Sequence, residues 1–154
     1  MSVVIDASVT LAWCFQDETT PFTAAVFRRV EDRGAVVPSI WPLEVANSVL
    51  MGRRRNRLSS DEASTFLALL SALPVRVDFI SVLDIWSATV GLADAQQITV
   101  YDATYLELAI RESLPLATLD RRLQDAARRI GLEVLEPGGS LGSPGTSDTE
   151  NTTS

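Results

Sequence analysis

The sequence predicts an α/β protein with a central parallel sheet and helices on both faces of that sheet. Two observations indicate this class. Short apolar runs alternate along the chain with longer segments of helical periodicity. The first two runs are apolar throughout, which is typical of strands buried on both faces of a parallel sheet. At 154 residues the chain has the length of a single domain with a sizeable core.

Five segments have the pattern of strands. The first, Val3–Ile5, is wholly apolar and ends at Asp6, so we expect it to be buried. Pro38 stops the second run, and the run that begins at Pro74 is predicted as an edge strand. The predicted strands cover residues 3–5, 35–37, 74–77, 116–118 and 132–135.

The segments between these strands have helical spacing of apolar residues. Gly34 ends the second helix, and Pro42 is well placed as the first residue of the third. Helices are predicted over residues 8–15, 20–33, 42–55, from 60 onward, over 82–95, from Asp102 onward and over 120–130. The helix over 82–95 is expected to carry one apolar stripe, formed by Leu83, Trp86, Val90 and Ala93.

The composition changes at Pro137. The last 18 residues are rich in Gly, Ser, Thr and Pro and offer little apolar surface to bury. We therefore predict a folded domain over residues 1–136 and a disordered tail over 137–154.

Composition excludes several classes of enzyme. The chain has no histidine and no lysine, and all 13 basic residues are arginine. These absences exclude Walker-A loops, Schiff-base enzymes and hydrolases with a Ser-His-Asp or Cys-His site. A net charge of −7 argues against nonspecific nucleic-acid binding through a wholly basic surface. Any catalysis must therefore use carboxylates, hydroxyls and arginines, either alone or with a bound metal ion.

The same composition predicts a cytoplasmic protein. The single cysteine, Cys14, cannot form an internal disulfide, in agreement with a reducing compartment. The first residues carry no basic leader, and Asp6 interrupts their apolar run, so a secretory signal is not expected. No apolar run approaches the roughly 18–20 residues needed to span a bilayer.

Four carboxylates stand at positions suited to a site. Asp6 and Asp120 follow predicted strands, and ligands of open α/β sheets bind at the carboxyl ends of strands. If those two strands are neighbours, both carboxylates lie on one rim, and the predicted helix start at Asp102 could face it. Glu44 is the only charged residue between Arg33 and Arg53, and a carboxylate in so apolar a segment needs a partner, a metal ion or solvent.

Each of these residues also has a structural explanation. Asp6, Asp102 and Asp120 precede predicted helices, where aspartate is a favoured N-cap worth about 1 kcal/mol. Glu44 could lie on a solvated helix face. From the spacing alone, both interpretations stay open.

Four segments together resemble the PIN-domain family, and in detail the VapC-type toxin ribonucleases of type II toxin–antitoxin pairs. The resemblance extends from about Val3 to Leu135 and implies a three-layer PIN-like fold with the four acidic residues in one pocket. The segments that carry it are Val3-Val4-Ile5-Asp6-Ala7-Ser8, Pro42-Leu43-Glu44-Val45-Ala46-Asn47, Tyr101-Asp102-Ala103 and Leu116-Ala117-Thr118-Leu119-Asp120.

The resemblance implies a metal-dependent endoribonuclease that cleaves single-stranded or structured RNA with water activated by Mg²⁺ or Mn²⁺. Asp6 and Asp102 are expected to be the nearest ligands, with Glu44 and Asp120 completing the acidic shell. Further candidates for the shell or the substrate are Ser8, Asn47, Thr118, Arg53 and Arg55, the arginines belonging to a basic run that also includes Arg54 and Arg57. Local capping for the hydroxyls and the amide, and a solvated helix end for the arginines, are the alternatives.

The resemblance also implies partners, namely an RNA substrate, a VapB-type antitoxin and a second copy of the chain in a homodimer. Some of five large apolar residues in the first two helices are expected to form a groove for an antitoxin helix, and the alternative is that all five lie in the core. These residues are Trp13, Phe15, Phe22, Val26 and Phe27.

Other families that begin with a strand and an aspartate fit less well. A haloacid-dehalogenase-like phosphatase needs an aspartate where Ser8 stands, and a response-regulator receiver needs a lysine. The remaining alternative from another class is a PIN-like fold that acts as a nonenzymatic protein- or RNA-binding module.

Overall fold

The computed structural model describes residues 1–139, and these residues form a four-stranded parallel sheet in the order β3-β2-β1-β4. The strands are β1 (Val3–Ile5), β2 (Ala35–Pro38), β3 (Val75–Asp78) and β4 (Leu116–Ala117). Each strand pairs in parallel with its neighbours. The predicted fold class is therefore confirmed, including the position of β3 at an edge.

Helices occupy the connections between the strands. They are α1 (Ala7–Ala12), α2 (Pro21–Arg33), α3 (Trp41–Arg54), α4 (Ser60–Ala72), α5 (Val82–Asp84), α6 (Val90–Gln96), α7 (Val100–Glu112) and α8 (Arg121–Arg129), with a 3₁₀ turn at Gln16–Glu18 and a π-helical turn at Ile85–Thr89 between α5 and α6. Local sequence explains several helix starts. Thr20 and Ser59 each form a capping box with the third helical residue, and Pro42 lies in the first turn of α3.

The order of the strands creates a switch point between β1 and β4. The chain proceeds from β1 outward to β2 and β3, and then returns to place β4 on the other side of β1. Because parallel crossovers are right-handed, this reversal puts the later helices on the opposite face of the sheet from the earlier ones. In such folds, ligands bind at the carboxyl ends of the two strands that flank the switch point.

The core lies around the central strand. All three residues of β1 have no solvent exposure, and α7 packs against β1, β2 and β4. The register pairs Val4 with Leu116 and Ile5 with Ala117. The residues that follow these pairs therefore emerge at the same edge of the sheet. No helix in residues 1–139 is long and apolar enough to cross a membrane.

The prediction of a fifth strand over residues 132–135 is wrong. That segment makes a single parallel bridge, between Leu116 and Val134, supported by two backbone hydrogen bonds. The reason is that β4 is only two residues long and offers no further partners for a ladder. The first helix is also shorter than predicted and ends at Ala12. The predicted disordered tail falls, from residue 140 onward, outside the described residues.

The predicted stripe on the helix over 82–95 does not face one way. Ala93 is buried, but Leu83, Trp86 and Val90 are 74 %, 69 % and 42 % exposed. A π-helical turn at Ile85–Thr89 interrupts the segment, and the exposed residues lie before, within and after this turn.

Candidate active site at the switch point

Asp6 follows β1 directly and is held rigidly by three donors. Its carboxylate is 6 % exposed and caps the start of α1 by accepting a 3.1 Å hydrogen bond from the Val9 amide. The Ser8 hydroxyl donates to Oδ1 at 2.6 Å, and the Thr118 hydroxyl donates to Oδ2. Asp6 is thus both an N-cap and the deepest acid of the site, so the two interpretations of the sequence are compatible.

Burial raises the pKa of Asp6 to about 6. The hydrogen bonds from Ser8, Thr118 and Val9 lower it, and the negative charge of Asp120 raises it further. Ionisation of a buried carboxylate costs free energy, and a cation bound beside it would lower that cost.

Asp120 follows β4 and stands beside Asp6 across the switch point. It caps α8 by accepting from the amides of Arg122 at 2.9 Å and Leu123 at 3.4 Å. Its own amide donates at 3.0 Å to the Thr118 hydroxyl, the group that donates to Asp6. Thr118, which is completely buried, therefore links the ends of β1 and β4.

Asp102 is not an N-cap, contrary to that interpretation of the sequence. The helix begins two residues earlier, at Val100, and Thr99 caps it by accepting from the Asp102 amide at 3.1 Å. Asp102 lies instead in the first turn of α7. Burial raises its pKa, the charge of Asp120 raises it further, and the Thr99 hydroxyl and the charge of Arg122 lower it.

Glu44 lies in the first turn of α3 and is paired with a tyrosine that sequence reasoning missed. The Tyr105 hydroxyl donates to Glu44 Oε1 at 2.6 Å. Burial raises the pKa of Glu44, the hydrogen bond from Tyr105 lowers it, and the charge of Asp102 raises it. Tyr105 stands three residues after Asp102 on α7, on the same helix face, and that spacing was the signal that could have identified it.

The four predicted acids form one electrostatically connected group. The charge of Asp120 raises the pKa of both Asp6 and Asp102, and the charge of Asp102 raises the pKa of Glu44. Burial and nearby negative charge raise the pKa of the Tyr105 phenol far above its usual value, with Asp6, Glu44 and Asp102 all contributing. Carboxylate and hydroxyl oxygens that lack a countercation are the donor set that a hard divalent ion prefers, so these residues fit Mg²⁺ or Mn²⁺.

The acids do not converge tightly. Within residues 1–139, no three acidic or cysteine side chains stand close enough to hold a metal ion on their own. This openness is compatible with Mg²⁺, which retains several of its waters and needs only one or two carboxylates directly.

The structure places the remaining candidates at different distances from the acids. Ser8 and Thr118 hold Asp6, as described above. Asn47 is exposed one turn after Glu44 on α3. Arg53 is exposed in the last turn of α3, about 13 Å along the helix axis from Glu44, and Arg55 is exposed just beyond the end of this helix. These two arginines therefore lie outside the acidic pocket.

Arg57 has a structural role. Its guanidinium bonds Asp17 at 3.1 Å, approaches Glu18 at 3.8 Å and stacks 4.0 Å above the centre of the Phe15 ring. It thereby fastens the loop after α3 to the 3₁₀ turn after α1.

Comparisons with known proteins match the chain to one domain family. The sequence profile of the PIN domain family matches residues 3–129. A relative named Ribonuclease VapC3, from Pyrobaculum aerophilum, is 30% identical over 125 residues, which are 81% of this chain and 94% of the relative.

Solved structures share the fold at low sequence identity. The Mycobacterium tuberculosis toxin VapC20, described as cleaving the sarcin-ricin loop, superposes with a TM-score of 0.61 at 15% identity over 88% of this chain and 100% of its own. FitAcB from Neisseria gonorrhoeae superposes with a TM-score of 0.58 at 16% identity over 87% of this chain and 96% of its own.

Proposed function

The chain belongs to the PIN domain family, and from this premise we propose that it is a metal-dependent endoribonuclease and the toxin of a VapBC-type toxin–antitoxin pair. The observation that supports the proposal best is the acidic group at the switch point. It consists of Asp6, Glu44, Asp102 and Asp120, and negative charges within it raise the pKa of neighbouring members. A relative named as a ribonuclease, covered over nearly its full length, supports the same activity. We propose that the activity takes place in the cytoplasm and that its substrate is RNA.

The proposed roles of the acids follow from their surroundings. Asp6 and Asp102 would hold the metal ion, since Asp6 is fixed by three donors and Asp102 lies on the neighbouring helix start. When bound, Mg²⁺ or Mn²⁺ would supply a nucleophile at neutral pH and positive charge opposite the phosphate.

The other residues orient this pair. Asp120 and Glu44 add negative charge around it, and each is itself fixed, Asp120 by the first amides of α8 and Glu44 by Tyr105. Thr118 and Ser8 keep the Asp6 carboxylate in one orientation, because a hydroxyl donates to each of its oxygens. Three of the four lone-pair positions of this carboxylate accept a hydrogen bond, and the fourth, on Oδ2, is left for a cation.

The activity can be tested with purified, antitoxin-free protein. We expect it to cut RNA when Mg²⁺ or Mn²⁺ is present and to lose this activity in EDTA, since the chain has no histidine for metal-free acid–base cleavage. Equal cleavage in excess EDTA would exclude the proposed chemistry. A protein that neither cuts nor binds RNA would instead favour the nonenzymatic binding module, although the clustered acids argue against that alternative because they repel one another without serving a ligand.

The proposed antitoxin site is a groove between α1 and α4. Of the five apolar residues considered for it, Phe15, Phe22 and Val26 are buried in the core, whereas Trp13 and Phe27 are partly exposed and form an edge-to-face pair with ring centres 5.1 Å apart. The indole of Trp13 is fixed by a 2.8 Å hydrogen bond to the Thr23 carbonyl. The groove holds about 370 Å³ and is lined by Trp13, Cys14, Leu58, Asp61, Glu62, Thr65, Phe66 and Leu69.

The chemistry of this groove selects one kind of partner. Its lining combines apolar side chains such as that of Leu69 with the carboxylates of Asp61 and Glu62. An amphipathic helix with basic residues beside its apolar face matches both features. Co-expression with the product of a neighbouring small gene should give a complex on gel filtration, and Leu69→Glu should weaken it. Failure of the unmodified pair to associate would exclude the antitoxin relationship.

We further propose that the protein forms a homodimer through the helix that follows β3. Its outward face is rich in large apolar side chains. Phe79 is 81 % exposed, and Val82, Leu83, Trp86 and Val90 continue the same surface, while the buried positions are Thr89 and Ala93. The hydroxyl of Thr89 is buried without a hydrogen-bond partner in the described residues.

A second copy is the occupant that best fits this face. It carries five large apolar side chains, more than the scattered single hydrophobics that the surface of a monomer normally shows. An isologous contact places the same apolar patch on both sides, so no charge of the partner has to be matched.

A further inference from the structure

Arg122 stands at the edge of the acidic pocket. It lies in the first turn of α8, two residues after Asp120. Its Nη2 donates at 3.2 Å to the carbonyl of Gln97, which ends α6 in the left-handed conformation. The guanidinium is therefore fixed at the junction between α6 and α7, next to the helix start that carries Asp102.

The charge of Arg122 is not neutralised by a close carboxylate. In the part of the chain that the structure describes, Arg122 forms no ion pair, whereas five other arginines each form at least one: Arg33, Arg57, Arg76, Arg111 and Arg128. Its contact with Gln97 is to a neutral carbonyl and uses one of five N–H donors. The side chain is exposed, so the other donors face solvent.

The position of this charge matters because the pocket is otherwise acidic. The charge of Arg122 lowers the pKa of Asp102, and the charge of Asp120 raises it. The arginine is therefore within electrostatic reach of the group that would hold the metal ion. A phosphodiester that approaches this pocket is an anion and is repelled by every carboxylate that the metal does not neutralise. An arginine at the rim, fixed at one nitrogen and open at the others, can bind the anion without occupying the metal site.

We propose that Arg122 is a phosphate-binding residue of this site, and that it holds a phosphodiester of the RNA strand beside Asp102 and Asp120. The proposal rests on the ribonuclease function proposed above. Under this proposal the phosphate is bound by Arg122 and not by Arg53 or Arg55, because those two residues lie at the far end of α3.

Arg129 provides a matched control. It is exposed on the same helix, and it bonds the end of α6 in the same way, through Gln96 Oε1 at 2.9 Å and the Gln96 carbonyl at 3.3 Å. It stands seven residues further along α8, about 10 Å from Arg122 along the helix axis. Arg122→Gln and Arg129→Gln therefore remove the same charge next to the end of α6, but of the two arginines only Arg122 lowers the pKa of Asp102.

The test measures binding of a fluorescein-labelled, 20-nucleotide RNA pool of randomised sequence, by anisotropy in Ca²⁺ over a series of KCl concentrations. Separate reactions in Mg²⁺ measure cleavage of the same pool. For Arg122→Gln we expect about tenfold weaker binding, as for loss of a charge-assisted hydrogen bond. The slope of log Kd against log salt should fall by about 0.7, the value for one phosphate contact to a single strand. Arg122→Lys should keep the salt slope of the wild type.

The outcomes separate the two proposals. Wild-type affinity in Arg122→Gln, or equal losses in Arg122→Gln and Arg129→Gln, would overturn the role of Arg122, because the effect would be absent or due to net charge alone. If the unmodified protein cleaves RNA in Mg²⁺ in either case, the ribonuclease function stands. If the unmodified protein neither binds nor cleaves RNA, the function itself fails and the role of Arg122 fails with it.

Discussion

The Tyr105 hydroxyl donates a 2.6 Å hydrogen bond to Glu44 Oε1, although 61 residues separate the two in the chain. Tyr105 is 2 % exposed, so its phenol has exchanged water for this one acceptor. The bond fixes the carboxylate of α3 against α7, the helix that carries Asp102. The orientation of Glu44 toward the other acids therefore depends on a residue of the core.

Replacement of Tyr105 by phenylalanine tests this role. The change removes the donor and keeps the ring, so the fold should persist while Glu44 becomes free to rotate. We expect activity to fall about tenfold or more, as for loss of a hydrogen bond that orients a metal-site carboxylate. The pKa of Glu44 should rise, because the hydrogen bond lowers it, and the acid limb of the pH–activity profile should move to higher pH. Tyr101→Phe, at an exposed position of the same helix, serves as the control and should be neutral.

Asp102→Asn should have opposite effects on activity and stability. Ribonuclease activity should fall by about two orders of magnitude or more if the side chain holds the metal ion. The metal-free melting temperature should be unchanged or higher, since one of several repelling charges is removed and Thr99 still caps the helix. Thermal melts in EDTA measure the metal-free stability, and melts in Mg²⁺ measure the stabilisation by the ion. Mg²⁺ should stabilise the wild type by mass action and the variant much less. A variant that remains active and gains as much from Mg²⁺ would remove Asp102 from the ligand set.

The raised pKa of Asp6 predicts how metal-free stability depends on pH. Between the ordinary value near 3.8 and about 6, the folded state binds a proton that the unfolded state has released. The associated stabilisation is complete below this window and is lost as the pH rises through it. A shift of about two units corresponds to about 3 kcal/mol.

Urea unfolding in EDTA at a series of pH values would measure this loss. The wild type should lose stability from pH 4 to pH 7, and Asp6→Asn, which keeps the size and the capping ability of the side chain, should lose less. Parallel pH profiles for the two proteins would show that Asp6 does not titrate as described.

Trp86→Glu should convert the proposed homodimer into a monomer. The substitution places a charge within an apolar contact that both copies share, so its cost is incurred twice. Light scattering on a gel-filtration column measures the mass directly. Ile110→Glu, at a 47 % exposed position of α7 outside this face, is the control and should leave the mass unchanged. A monomeric wild type, or a dimeric Trp86→Glu variant, would exclude this interface.

Local pattern was sufficient for most of the fold. Apolar runs, helix caps and the prolines predicted four strands and the main helices, because each of these signals acts between residues that are close in the chain. The acids at the ends of β1 and β4 could be predicted too, since the ends of neighbouring parallel strands meet at one edge.

Other features depended on contacts between distant segments. Tyr105 could not be paired with Glu44 from sequence, because that pairing requires α3 and α7 to meet at a particular rotation. The fifth predicted strand failed for a similar reason, because a strand needs a partner of sufficient length and β4 has only two residues.

The arginines show the same division. The sequence by itself determined which residues carry positive charge and that four of them stand in one run. Only the tertiary structure decided that Arg53 and Arg55 lie at the far end of α3. It also placed Arg122 at the edge of the pocket, where its guanidinium donates to the Gln97 carbonyl. The physical reason is that charge is a property of a residue, whereas its effect on a site depends on distance, which is fixed by how the helices pack around the sheet.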